Sequence, residues 1–201
     1  NQAKLRSYRT APRYKYGFEI PRNYEHALYL DRRNGNTKWQ DANKLEFDQL
    51  DEYSTFEDIG PSDTSTPLTG YKKIRVHLVF DVKHDLRHKA RLVAGGHLTN
   101  PNIDGTYSGV VSLRTMRIAL VAAELNQLDT MVGDVTSAYL EAFTQEKVCF
   151  IAGPEFGPLQ GHLLIIERAL YGLRTSGARW HDRLADVLRN MGYFQCKADP
   201  D

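Results

Sequence analysis

From Ile74 to Lys83 the chain alternates strictly enough to leave little choice of local structure. Ile74, Val76, Leu78, Phe80 and Val82 fall on one side, and Arg75, His77, Val79, Asp81 and Lys83 on the other. A period of two is the pleat of a half-buried strand, whereas a helix would scatter these side chains around its circumference. His84-Asp-Leu-Arg87 is placed to turn the chain, and His88 to Ala94 to return beside the first strand, ending at Gly95-Gly96. The spacing therefore predicts a β-hairpin with a basic face, on which Lys89 and Arg91 are neighbours two residues apart. Cations so placed suit a grip on a triphosphate; a strand edge protected by charge is the competing reading.

The same periodicity arguments place the remaining elements. Trp39, Ala42, Leu45 and Leu50 share one face of an amphipathic helix, which Asn36 or Thr37 is positioned to cap. Ser112 caps a second, in which Leu113, Met116, Leu120, Val121, Ala123 and Leu125 make an apolar face broad enough to expect near-complete burial. Trp180, Leu184, Val187, Leu188 and Met191 mark a third, with Gly192 as its stop. Strands are expected around Val132, at Val148 to Ile151 and at Leu163 to Ile166, and the turn-rich run Gly60 to Gly70 reads as a connection. A hairpin first and helices interleaved later favour an α+β arrangement over a regular βαβ repeat.

At 201 residues and 41% hydrophobic content the chain is long enough to bury a core of one or two small domains. Lys and Arg number 26 against 25 Asp and Glu, so net charge argues neither for nor against a nucleic-acid partner, because a basic cleft can be offset by acidic surface elsewhere. Cys149 and Cys196 belong to no paired motif, which favours a reducing, intracellular setting. No apolar run reaches the length of a membrane span. Asn1 to Tyr16 carries Lys4, Arg6, Arg9, Arg13 and Lys15 without an apolar core, a solvated linker or basic arm and not an export signal. The missing initiator Met reads as an excised fragment.

Chemistry is most concentrated in Met131-Val-Gly-Asp134-Val-Thr-Ser-Ala-Tyr139-Leu, where one carboxylate ends an apolar segment directly before small residues and an aromatic. Thr136, Ser137 and Ala138 let phosphates approach the backbone, and Asp134, with the Val135 carbonyl, offers oxygen donors of the kind magnesium prefers. Taken alone, Asp134 reads first as a helix cap and Tyr139 as a core aromatic, and only the surrounding matches overturn that reading. His84-x-x-x-His88 has a metal-like interval but spans the expected turn without a third ligand, so zinc is not expected. Asp51-Glu52 and Glu57-Asp58 read as solvated surface. A metal-dependent nuclease built on Asp134 is disfavoured, since no second carboxylate lies at a useful spacing near it.

Three runs in this order, Lys89-Ala-Arg91-Leu-Val, Asp134-Val-Thr-Ser-Ala-Tyr139-Leu and Ala169-Leu-Tyr171-Gly172-Leu-Arg174, resemble the reverse transcriptase domain of copia-type (Pseudoviridae-like) long-terminal-repeat retrotransposons. The resemblance implies an α+β right-hand polymerase, fingers and the first part of a palm, incomplete at its C-terminal end. It divides the chain into a basic flanking segment at 1–36, a fingers-like region with a helix and basic hairpin at 37–130, and a partial palm at 131–201. The implied activity is RNA-directed DNA polymerisation on a primed RNA or DNA template, with deoxynucleoside triphosphates and Mg2+ or Mn2+, inside a larger polyprotein. Asp134 then becomes the catalytic metal ligand with Val135, and Tyr139 a steric gate against a 2′-hydroxyl. Lys83, Lys89, Arg91, Ala138, Tyr171, Gly172 and Arg174 become nucleotide contacts.

Departures from that pattern matter as much. Gly95 stands where the family often has Lys, Arg174 where Lys is frequent and Thr175 where Gln is frequent. Tyr171 and Trp180 also fit as ordinary core aromatics. The second acidic element of such polymerases, an aromatic-x-Asp-Asp hairpin, does not occur, and Asp199 and Asp201 match only the Asp that precedes it. One carboxylate cannot balance two divalent ions, so these residues alone are expected not to polymerise. A catalytically dead remnant that acts as a nucleic-acid-binding or interaction module is the alternative. The expected location is intracellular, cytoplasmic or nuclear, within a virus-like particle if the element is active.

Overall fold

The computed structural model of this chain describes residues 11–63, 68–98, 106 and 108–197. Asp199, Asp201, Lys4, Arg6 and Arg9, and part of the Gly60 to Gly70 connection, lie outside them. The expected hairpin is present as β5 (Val76–Val82) and β6 (His88–Ala94), paired antiparallel with Val79 opposite Arg91 and Asp81 opposite Lys89. Residues 83–87 close it, the amide of Lys83 donating to Arg87 O at 2.9 Å and that of Leu86, with φ 66°, to Lys83 O at 2.9 Å. The apolar face is the one the alternation indicated: Leu78, Phe80, Val82, Ala90, Leu92 and Ala94 are all buried.

Upstream of it, in the stretch read from sequence as basic flanking chain, β1 (Arg13–Lys15) and β2 (Phe18–Ile20) form a small hairpin that leads into α1 (Tyr24–Asn34). Ile20, Ala27 and Leu30 belong to the main core, and Lys15 pairs with Asp81 of β5 at 2.6 Å. Next comes α2 (Lys38–Glu52), which lies against β6. Its buried face is Trp39, Ala42, Asn43, Glu46 and Leu50, and Leu45, expected in the core, is exposed. Two polar residues take the inward positions because each helix turn offers only one face to β6. Thr37 makes no capping bond; Asn36 accepts from the Lys38 amide at 3.2 Å, and the Asp31 carboxylate of α1 accepts from the amides of Trp39 and Gln40.

The second sheet has the order β3 (Phe56–Pro61), β8 (His162–Ile166), β7 (Val148–Ile151), β4 (Lys72–Lys73), antiparallel except for the parallel β4–β7 pair. Strands β7 and β8 fall where they were expected. Phe150, fully buried, packs between Phe56 and Phe156 with ring centroids 5.4 and 5.3 Å away. One core runs from this sheet through Leu170 and Leu173 to the hairpin and α2. Two further helices, α3 (Leu113–Leu125) and α4 (Ser176–Asn190), lie where the apolar spacing placed them: Ser112 caps α3 as predicted, accepting from the Thr115 amide at 3.1 Å, and Gly192 turns the chain after α4 at φ 90°, whereas α4 begins at Ser176, ahead of Trp180.

Two expectations fail here. No residue of α3 is buried, and Leu113, Ile118, Leu120, Val121 and Leu125 are exposed. Around Val132 there is no strand, and Met131 and Val132 are 97% and 96% exposed. Both failures have one physical origin: an apolar run is buried or paired only where another element covers it, and among the described residues no strand pairs with 131–135 and the apolar face of α3 stays uncovered. Among the described residues no helix is long and apolar enough to cross a membrane.

Candidate functional site

Behind the basic face of β6, α2 and the segment 134–138 enclose a cleft of about 770 Å³. It gathers residues that are far apart in sequence: Leu45, Glu46 and Gln49 from α2, Lys83, Lys89 and Arg91 from the hairpin, Asp134 to Ala138, and Tyr171. Of the residues singled out from sequence, Lys83, Lys89, Arg91, Asp134, Val135, Ala138 and Tyr171 line it. Tyr139 lines a smaller adjoining hollow with Lys89, Arg91 and Tyr171. Gly172 and Arg174 do not line either and serve the wall instead.

Asp134 sits on irregular backbone, exposed, and among the described residues makes no hydrogen bond or ion pair. The chain then passes through Ser137, left-handed at φ 53°, into a 3-10 turn at Ala138–Glu141 that is anchored by buried Leu140. Asp134 therefore caps nothing, and its carboxylate is left facing solvent and the cleft. Opposite it, Lys83, Lys89 and Arg91 form no ion pair among the described residues, whereas Arg87, also at the cleft, is paired with Asp85. Arg91 is held by an aromatic face: its guanidinium lies 5.5 Å from the Tyr171 ring centroid, and that ring meets Tyr139 at 5.0 Å and 55°. A cation–π contact fixes the side chain without neutralising it, so its N–H donors remain available to an anion.

The wall that holds Tyr171 is tightly built. Tyr171 O accepts from the Ala94 amide at 2.7 Å, and Gly172, at φ 90°, sits against the carbonyl oxygen of Ala94. Arg174 donates through Nε to Gly96 O at 3.0 Å and through Nη2 to His97 O at 3.3 Å, tying the same loop to the end of β6. Thr175 is buried, its amide and hydroxyl both donating to Glu146 Oε1 at 3.0 and 2.8 Å. These polar groups brace the backbone beneath Tyr171.

Sequence reasoning missed Glu46. It is 8% exposed, and its Oε1 accepts from the Leu92 amide at 2.9 Å across 46 residues of chain. Burial pushes its carboxyl above the usual range, opposed by the Leu92 hydrogen bond and by the charges of Lys89 and Arg91. The folded chain thus holds this proton more tightly than the unfolded one, so the Glu46 contribution to stability declines as pH rises from the ordinary carboxylate pKa through the folded value. Glu46→Gln keeps an acceptor and cannot ionise. It is expected to be more stable than the native chain at pH 7 and to lose that advantage below about pH 4. Urea unfolding at the two pH values measures this, and an advantage independent of pH would refute it.

The donor set around Asp134 consists of one carboxylate and exposed backbone on a segment of small residues. It suits a hard cation that keeps several waters and takes further oxygens from a bound phosphate, not an all-protein cage. Among the described residues no group of three or more His, Cys, Asp or Glu stands together as a metal cage. His84 and His88 both reach the cleft, but His88 is half-buried and packed edge-on against Trp39, ring centroids 4.2 Å apart.

Residues 64–199 match the family model described as reverse transcriptase (RNA-dependent DNA polymerase). The chain is 29% identical over 147 residues, 72% of its length, to the transposon Ty1-DR4 Gag-Pol polyprotein of Saccharomyces cerevisiae. The same identity and span hold for the Ty1-DR6 and TyH3 Gag-Pol polyproteins of that organism. The chain spans 8% of the length of these relatives. No solved structure matches.

Proposed function

The chain belongs to the copia-type reverse transcriptase (RNA-dependent DNA polymerase) family, and we propose that its cleft is the nucleotide pocket of such a polymerase. One observation carries this reading. Three segments far apart in sequence bring Lys83, Lys89 and Arg91, the carboxylate of Asp134, none of them ion-paired among the described residues, and Tyr171 to one cavity, with Tyr139 packed against Tyr171 in the adjoining hollow. In this reading the hairpin belongs to the fingers, and residues 131–201 to the first part of a palm.

A deoxynucleoside triphosphate lies with its phosphates against Lys83, Lys89 and Arg91. Their positive charge offsets the phosphate charge in a partly enclosed space, where screening is weaker than in bulk water. Arg91 matches phosphate oxygens with its fork of donors, and Tyr171 keeps that fork oriented. Tyr139 forms the floor under the sugar. Asp134 and the Val135 carbonyl would hold magnesium, which would supply positive charge to offset that developing on the phosphates as the primer hydroxyl attacks. The template–primer duplex is held through its phosphates, without sequence preference and with strong salt dependence. A second carboxylate pair belongs to the complete reaction, so the 201 residues bind nucleotide but do not extend a primer. The rest of a polyprotein, within an intracellular virus-like particle, supplies the setting.

Equilibrium binding of dTTP with and without magnesium tests the reading. Arg91→Ala and Lys89→Ala are each expected to weaken binding about tenfold, from loss of charge-assisted hydrogen bonds. Asp134→Ala is expected to abolish the part of the affinity that depends on magnesium. Affinity indifferent to all three substitutions would leave a folded remnant without a nucleotide site.

A further inference from the structure

The hairpin that carries Lys89 and Arg91 has only two strands, and among the described residues no strand pairs with the outer edge of β6. An unpaired edge beside a cleft is free to breathe, and the position of any side chain it carries is then poorly fixed. Two groups close this edge. The Ala94 amide donates to Tyr171 O, and the Leu92 amide, in the peptide unit that immediately follows Arg91, donates to Glu46 Oε1. Glu46 reaches that amide from α2, a helix anchored in the core by Trp39 and Leu50, and it lines the cleft beside Arg91.

We propose that Glu46 is a positioning residue for Arg91, standing in for the missing neighbour strand at the point where the hairpin must present its guanidinium to an anion. The inference rests on reading the cleft as a triphosphate pocket. A buried hydrogen bond to an acceptor carried by a core-anchored helix suits a clamp that must hold one peptide unit against the pull of a bound polyanion, and it is the acceptor oxygen that this requires. The Lys89 and Arg91 charges offset the burial of the Glu46 carboxylate, so the group that fixes the strand is also electrostatically matched to the cations on it. The Tyr171 ring orients Arg91 from one side and Glu46 fixes its backbone from the other.

Two measurements on the 201-residue chain decide the matter: hydrogen exchange of the Leu92 amide, and binding of inorganic triphosphate and of dTTP, each with magnesium. Glu46→Ala is expected to speed Leu92 exchange and to weaken triphosphate binding about tenfold at temperatures where the variant is fully folded. Glu46→Gln, which retains the acceptor, is expected to stay within about twofold of the native chain in both. A residue with a merely structural part would lower the melting temperature and leave the affinity of the folded protein unchanged. Unaltered Leu92 exchange in Glu46→Ala overturns the proposal, as do faster exchange with undiminished affinity and equal weakening by Gln and Ala. A native chain that binds neither probe overturns the pocket reading itself, and the inference falls with it.

Discussion

Gly172→Ala is expected to destabilise the chain by about 3 kcal/mol, enough to lower the melting temperature by roughly 10 °C in a protein of this size. Two separate costs combine. The backbone stands at φ 90°, where an L side chain is strained by about 1–2 kcal/mol. A Cβ there would also run into the carbonyl oxygen of Ala94 and lie 2.8 Å from Val93 Cγ1, with strand backbone unable to yield cheaply. Gly192 separates the two, because it has the same φ of 90° and nothing within 4 Å of a Cβ. Gly192→Ala therefore carries the conformational cost alone. Urea unfolding of both variants gives the clash by difference, and equal losses would show that the loop moves aside without cost. Function should suffer too, since the displaced loop carries Tyr171, on which Arg91 rests.

That loop also shows where the sequence was readable and where it was not. Periodicity exposed the hairpin, β7 and β8, because each buries a face whose spacing is set by its own backbone geometry, and it located α3 and α4 with the start of the first at Ser112 and the stop of the second at Gly192. It missed β1, β2, α1 and β3. The first three lie in a stretch whose many cations mask Ile20, Ala27 and Leu30, and β3 sets adjacent Glu57 and Asp58 between Phe56 and Ile59, which breaks the period of two. The face of α2 was misjudged at Leu45 because Asn43 and Glu46 are buried in its place, and a buried polar residue is legible only through a partner that sequence spacing does not reveal.

The cleft was legible in part for a different reason. Lys89 and Arg91 were marked by the pleat, Asp134 by its place before small residues and the role of Tyr139 by resemblance, and no pattern in the residues themselves says that Asp134 and the hairpin share a cavity; the fold supplies that. Gly172 and Arg174 came from the same motif as Tyr171, yet they act on backbone, which a motif cannot distinguish from contact with a ligand. The exposed faces of α3 and of the Val132 segment were overread because an amphipathic pattern reports a capacity for burial, and burial itself depends on a second surface.

The largest loss after Gly172 is expected from Asp31→Ala, about 2–4 kcal/mol. Asp31 is fully buried near the end of α1, and its carboxylate accepts from the amides of Trp39 at 3.1 Å and Gln40 at 2.9 Å and from Gln40 Nε2 at 3.3 Å. It thus satisfies two of the four amides that the start of α2 leaves open, and places a negative charge at the positive end of that helix. Alanine would strand both amides next to Trp39, itself 2% exposed and packed edge-on against Phe80. Asp41, exposed in the same first turn and accepting from the exposed Thr37 hydroxyl at 2.9 Å, provides the control: Asp41→Ala should cost about 0.5–1 kcal/mol through that bond and the helix dipole. Asp31→Asn keeps one acceptor and should fall between the two. Because α2 also carries Glu46 to Leu92, a loosened α2 start is expected to weaken triphosphate binding along with stability. Loss of stability with an unchanged cleft would mean that Leu50 and the rest of the core hold the helix in register without its cap.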